Sequence, residues 1–120
     1  MARSFPLDAP SAAAVRQFVR GAVGELAERV PTDDAVLLAN ELAANAIRHA
    51  GGERFSVAVQ RQPDGTVEIG VTDPDPHPPA LAHPSPDATG GRGLPIVDQL
   101  SRRWGVRRVP EGGKCVWFDL

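Results

Sequence analysis

At Gly51-Gly52 the spacing of apolar residues changes from helical to alternating, and this change does most to limit the folds open to the chain. Before it, Val15, Phe18, Val19, Ala22, Val23, Leu26 and Val30 recur at helical spacing, while Arg16, Arg20, Glu25 and Glu28 fall elsewhere. Such a run predicts an amphipathic, core-packing helix with Ser11 as its N-cap. Pro31 separates it from a second helical run opening at Thr32, where Asp33 and Asp34 place carboxylates in the first turn. After the glycines, Phe55, Val57 and Val59 alternate with Ser56, Ala58 and Gln60. Pro63-Asp64-Gly65 reads as a turn, and Val67, Ile69 and Val71 resume the alternation, so a hairpin is expected.

The remainder is less regular. Residues 1–10 hold Phe5 and Leu7 between prolines and suit a short edge strand. The stretch from Pro74 to Pro86 holds six prolines, with His77 and His83 among them, a composition incompatible with a helix or a central strand. A long irregular loop in a short chain is commonly a lid or binding loop, the other reading being surface slack. Gly90, Gly91 and Gly93 lead into a helical stretch with Pro95 in its first turn and Leu94, Ile96, Val97 and Leu100 as its apolar residues. Trp104 to Val109 and Lys114 to Leu120 read as a last pair of strands, with Val116, Phe118 and Leu120 on one face and Cys115, Trp117 and Asp119 on the other. The order predicts an α+β fold: a two-layer sandwich with helices on one face of a mixed sheet.

At 120 residues the chain is expected to form one domain, 1–120. A net charge of -2 argues against binding to a nucleic-acid backbone. The single Cys115 fits a reducing compartment, and no apolar run suits a signal peptide or membrane span, so a cytoplasmic protein is expected.

Three polar features stand out from the apolar pattern. Glu41 and Asn45 are one helical turn apart on a helix rich in Ala and Leu, where they must be solvated or meet something polar. Asp73 ends the core-facing row of its strand, so it either finds a donor there or leaves the sheet as a turn-starting residue. Glycines before a helix let backbone N–H groups approach an anion, although most such glycines bind nothing. A Gly-x-x-x-x-Gly-Lys-Ser/Thr P-loop does not occur, and the glycines do not follow a first strand as a dinucleotide fingerprint requires. His49, His77, His83 and Cys115 lack metal-ligand spacing, and no base is indicated beside Cys115 for covalent catalysis.

Taken together, Glu41-x-x-x-Asn45-x-x-x-His49-Ala50, Val71-Thr72-Asp73 and Gly91-x-Gly93-Leu94-x-Ile96-Val97 resemble the N-box, the adenine-contacting strand end and the second glycine box of the histidine-kinase-like ATPase superfamily. The resemblance runs from about Ser11 to Leu120 and implies the Bergerat ATP-binding fold. Small size and the ending Gly113-Lys114-Cys115-Val116-Trp117-Phe118 look most like actinobacterial anti-sigma-factor serine/threonine kinases. What the resemblance implies for each residue is specific. Glu41 is expected to be the general base and Asn45 the Mg²⁺ ligand. Asp73 is expected to take the adenine amino group, and Gly91 and Gly93 to offer N–H groups to the ATP phosphates. Residues 74–89 are expected to form the ATP lid. Arg48 and Arg92 are candidate phosphate contacts, or simply solvent-facing arginines, and His49 is expected to be structural.

Two departures from the family pattern bear on turnover. Asp73-Pro74-Asp75-Pro76-His77 replaces the usual Asp-x-Gly-x-Gly, and Cys115 replaces a Thr that helps hold water against adenine. The resemblance implies an anti-sigma factor that uses Mg²⁺-ATP to phosphorylate an anti-anti-sigma antagonist, its partners being a sigma factor and that antagonist, with a homodimer expected from related proteins. The alternative is a nucleotide-binding regulatory module acting through protein contacts alone, and a weaker third is one half of a split sensor kinase.

Overall fold

A computed structural model describes residues 1–27, 29–77 and 93–120, with backbone alone at 93 and 94. Five strands and three helices follow the order β1 (Ala2–Pro6), α1 (Ser11–Leu26), α2 (Thr32–His49), β2 (Arg54–Arg61), β3 (Val67–Asp73), α3 (Gly93–Leu100), β4 (Arg103–Arg108) and β5 (Lys114–Asp119). The strands form one sheet in the order β1-β2-β3-β5-β4. Glu28 and the side chain of Leu94 lie outside the described residues.

Every pairing in this sheet is antiparallel, where a mixed sheet was expected. The reason is where the last hairpin lands. The chain leaves β3, passes through α3 and returns as β4, which runs in the same direction as β3. Strand β5 then folds back between the two and pairs antiparallel with both, so two like-directed strands never become neighbours.

The helices cover one face, as their apolar stripes require. Helix α1 packs on β1 and β2, α2 on β3, and α3 on β4, with α2 central and touching both other helices. Val15, Val19 and Val23 from α1 and Leu38 and Leu42 from α2 meet Phe5, Phe55, Val57, Ile69, Val71 and Phe118 from the sheet. Phe5 stacks on Phe55 with ring centroids 5.6 Å apart, so the edge strand β1 is held by aromatic burial as well as by its ladder. The opposite face of the sheet carries the ion pairs Arg103–Asp119 and Arg107–Glu68, with both arginines exposed and the Asp119 carboxylate buried.

Ser11 does not serve as the N-cap. The helix begins at Ser11 itself, and the Asp8 carboxylate takes the capping role by accepting from the Ser11 hydroxyl at 2.9 Å and its N–H at 3.3 Å. Among the described residues no helix is long and apolar enough to cross a membrane.

Candidate functional site

Helix α2 has three kinds of surface. Ala35, Leu38, Ala39, Leu42, Ala43 and Ala46 form its buried stripe. Asn40 lies on the flank toward α1, where it accepts from Arg16 at 2.8 Å. Glu41 and Asn45 emerge on the other flank, roughly 100–140° further round, on the side where α3 packs. Both are half-buried, and neither makes a hydrogen bond among the described residues. Two oxygen-bearing side chains a turn apart at the margin of an apolar stripe can take a cation or a donor without any change in the core. Arg48 and His49 are exposed in the last turn, where positive charge suits the helix dipole.

Asp73 closes the row Val67, Ile69 and Val71 on the helix-facing side of β3 and is 5% exposed. It stays in the sheet: its partner across the ladder is Lys114. The Asp73 Oδ1 accepts from the Lys114 ammonium at 3.1 Å and from the Asp75 N–H at 2.9 Å. Lys114 is itself buried and donates a second bond to the Asp75 carbonyl, also at 3.1 Å. Asp75 then accepts from the His77 N–H at 2.9 Å and contacts His77 Nδ1 at 2.7 Å. The backbone bond from His77, followed by its ring, holds the Asp75 carboxyl below the ordinary value of 3.8. Two successive Asx-type turns therefore shape the chain after Asp73, in place of glycines.

The backbone around Asp73-Pro74 is crowded on both sides. A Cβ at Gly113 would lie 2.0 Å from the Asp73 carbonyl oxygen and 2.9 Å from Pro74 Cα. A Cβ at Gly52, whose φ is +119°, would meet Pro74 Cγ at 2.5 Å. Gly52 follows α2 by three residues, so this contact brings the end of β3 to the C-terminal end of α2. Asn45 and Glu41 lie one and two turns before that end. Helix α3 runs back antiparallel to β4, as the 2.8 Å bond from Trp104 Nε1 to Asp98 marks, so its first residue, Gly93, points toward the same end of the sheet. The structure thus brings Asp73, the last turns of α2 and the start of α3 to one end of the molecule. Gly91, Arg92, His83 and positions 78–89 of the expected lid lie outside the described residues.

The expected role of position 115 needs correction. Cys115 is opposite Thr72, and a Cβ at Gly70 would touch its Sγ at 2.8 Å, so the thiol lies on the solvent side of the sheet. It cannot hold water against a base bound by Asp73 on the helix side. The side chain that does reach Asp73 is Lys114, and sequence reading passed over it. A signal was present: Lys114 alternates in step with the core residues Val116 and Phe118. Gly113 was also missed, because a glycine in a turn gives no hint of a close approach made elsewhere in the chain.

Among the described residues no group of three or more His, Cys, Asp or Glu could hold a metal ion. A cation held here by Asn45 would share its coordination with phosphates and water, which is the habit of Mg²⁺.

Comparison with known proteins bears on this geometry. The family model described as "Histidine kinase-like ATPase domain" matches residues 5–120. An uncharacterised protein of Streptomyces coelicolor is 39% identical over 72 residues, which is 57% of this chain and 68% of that protein. Among solved structures, the RsbU and RsbW domains of a Mycobacterium tuberculosis protein superpose with a TM-score of 0.67 at 18% identity. That alignment covers 99% of this chain but only 32% of the other. The histidine kinase domain of a blue-light-activated kinase from Erythrobacter litoralis gives 0.57 at 21% identity, covering 97% of this chain and 61% of that one. At these identities the two structures speak for the fold alone.

Proposed function

Since this chain belongs to the histidine kinase-like ATPase family, we propose that it binds Mg²⁺-ATP at the end of the sheet marked by Asp73 and acts as an anti-sigma factor with serine/threonine protein kinase activity toward an anti-anti-sigma antagonist. Asp73 carries this reading. Its carboxylate ends a core row of the central strand, buried, held on one oxygen by Lys114 and the Asp75 N–H, and kept in place by close backbone packing. One of its oxygens, Oδ2, has no donor among the described residues and can accept from an adenine amino group.

Asn45 supplies an oxygen ligand to the cation, and Gly93, with Gly91 before it, offers N–H groups at a helix start to the phosphates. Bound Mg²⁺ would neutralise charge on the transferred phosphoryl group. Glu41 takes the proton from the antagonist's hydroxyl as that oxygen bonds to the γ-phosphorus and the bond to the leaving diphosphate breaks. A phosphate on the antagonist then adds charge at the interface and favours release, freeing this chain to hold the sigma factor.

A second reading, a nucleotide-binding module that works by contact alone, is favoured by one observation. Lys114 and the Asp75 turns occupy Asp73 where the family pattern has flexible glycines. Titration with ATP in the presence and absence of Mg²⁺, followed by radiolabelled phosphotransfer to candidate antagonists, separates the two. The kinase reading expects Glu41→Ala to keep ATP affinity within about threefold and to lose transfer by about 100-fold or more. Binding without transfer in the unmodified chain leaves the module, and failure to bind ATP at all removes both.

A further inference from the structure

An antiparallel sheet with one face in water normally turns polar side chains outward. Here one outward row, Ala2, Ala58, Gly70, Trp117 and Gly105, crosses all five strands without a charged side chain. Its one large member, Trp117, is half-buried and lies along the row over Gly105, where a Cβ would meet its Cζ2 at 2.9 Å. Among the described residues nothing covers this face, because all three helices pack on the other side. A second observation lies on the same face. Asp119 is fully buried, its Oδ2 accepts from Arg103, and its Oδ1 has no hydrogen-bond partner among the described residues. A buried acceptor left without a donor is costly.

We infer that this face binds a second copy of the chain, sheet against sheet, about a two-fold axis running along β3. The inference does not depend on the nucleotide-binding reading. Strands β5 and β2 stand on either side of β3, so such an axis exchanges them and sets each outward residue of β5 over the other copy's β2 at the same level. Trp117 then meets Ala58 and, at the edge, Ala2, a large side chain on two small ones. Asp119 meets Gln60, an exposed carboxamide whose N–H groups are the donors Oδ1 lacks. Cys115 meets Ser56. The exposed Arg103 and Arg107 of β4 fall on β1, which shows only Ala2 and Ser4 on this side, so no like charges oppose each other there. Glu68, on the axis, is already paired with Arg107. Five strands about 4.8 Å apart and about 20 Å long give roughly 500 Å² per copy, and two copies reach the 1,000 Å² or so that a specific interface needs.

Sedimentation equilibrium over a dilution series is expected to show a reversible monomer–dimer equilibrium with a dissociation constant of about 1–100 μM. Ala58→Arg, at an exposed position outside the core, is expected to weaken it by about 100-fold or more, and Ala13→Arg on the exposed side of α1 to leave it unchanged. Mild oxidation of Ser56→Cys is expected to give a covalent dimer through Cys115 of the other copy, a bridge between packed sheets like that of immunoglobulin domains. Within one chain these two positions flank β3, about 9–10 Å apart, too far for a disulfide. The unmodified chain is the control, since the two Cys115 lie on opposite sides of the axis. A chain still monomeric at about 1 mM, or a dimer undiminished in Ala58→Arg, overturns the inference. Loss of the dimer in Ala58→Arg without a covalent dimer from Ser56→Cys overturns the axis along β3.

Discussion

A methyl group at position 113 has nowhere to go, because the atoms facing it are the Asp73 carbonyl and the Pro74 backbone, neither of which can swing aside. Gly113→Ala is therefore expected to destabilise the fold by about 1–3 kcal/mol in urea denaturation, the usual cost of overpacking. Gly24 provides the control. It lies exposed inside α1 with nothing within 4 Å of the position a Cβ would take, so Gly24→Ala is expected to stabilise by about 0.5–1 kcal/mol through helix propensity. Equal effects at the two positions would mean that Gly113 does not make its close approach in solution. Lys114 makes a related point at the same scale. Its alternation with Val116 and Phe118 is plain in the sequence, but its importance comes from sitting opposite Asp73, forty-one positions earlier.

Among the elements, the turn of the β2–β3 hairpin was fully legible, since Pro63-Asp64-Gly65 requires no distant partner. Its chemistry has a pH signature. The Asp64 carboxylate is approached by the Thr66 hydroxyl at 2.6 Å and its N–H at 3.0 Å, and these bonds, the hydroxyl first, hold its pKa below the ordinary 3.8. A carboxylate with a depressed folded-state pKa adds stability above its unfolded value and loses it as pH falls through the folded value. The thermal midpoint of the unmodified chain is thus expected to fall faster below pH 3.8 than that of Asp64→Asn. Parallel profiles in a pH series of melts would show that the turn does not depend on this charge. Helix α2 was legible in a different way: periodicity located Glu41 and Asn45 on one flank, but only the packing of α1 on the other flank left theirs facing the α3 side.

For the whole molecule, sheet order sets which parts open first. Strands β2, β3 and β5 are flanked on both sides, and β1 and β4 are edges. Amide hydrogen exchange is expected to be slowest in Val67–Asp73 and Lys114–Asp119 and fastest at the outward-facing amides of Arg103–Arg108. Equal protection in β4 would show that its edge is covered. Asp73, proposed to contact the nucleotide, would then rest on one of the most stable strands.

The periods of this chain determined on their own that two helices precede a hairpin and which side of each strand is apolar, and they put Asp73 on the apolar side if its strand runs that far. Those are local properties, because side-chain direction repeats every two residues in a strand and every 3.6 in a helix. The tertiary structure alone decided that β5 inserts between β3 and β4, that Lys114 meets Asp73, that Cys115 faces away, and that Gly113 and Gly52 close around Pro74. Such contacts depend on register between distant segments, which is set by how the whole core packs and leaves no mark within either segment.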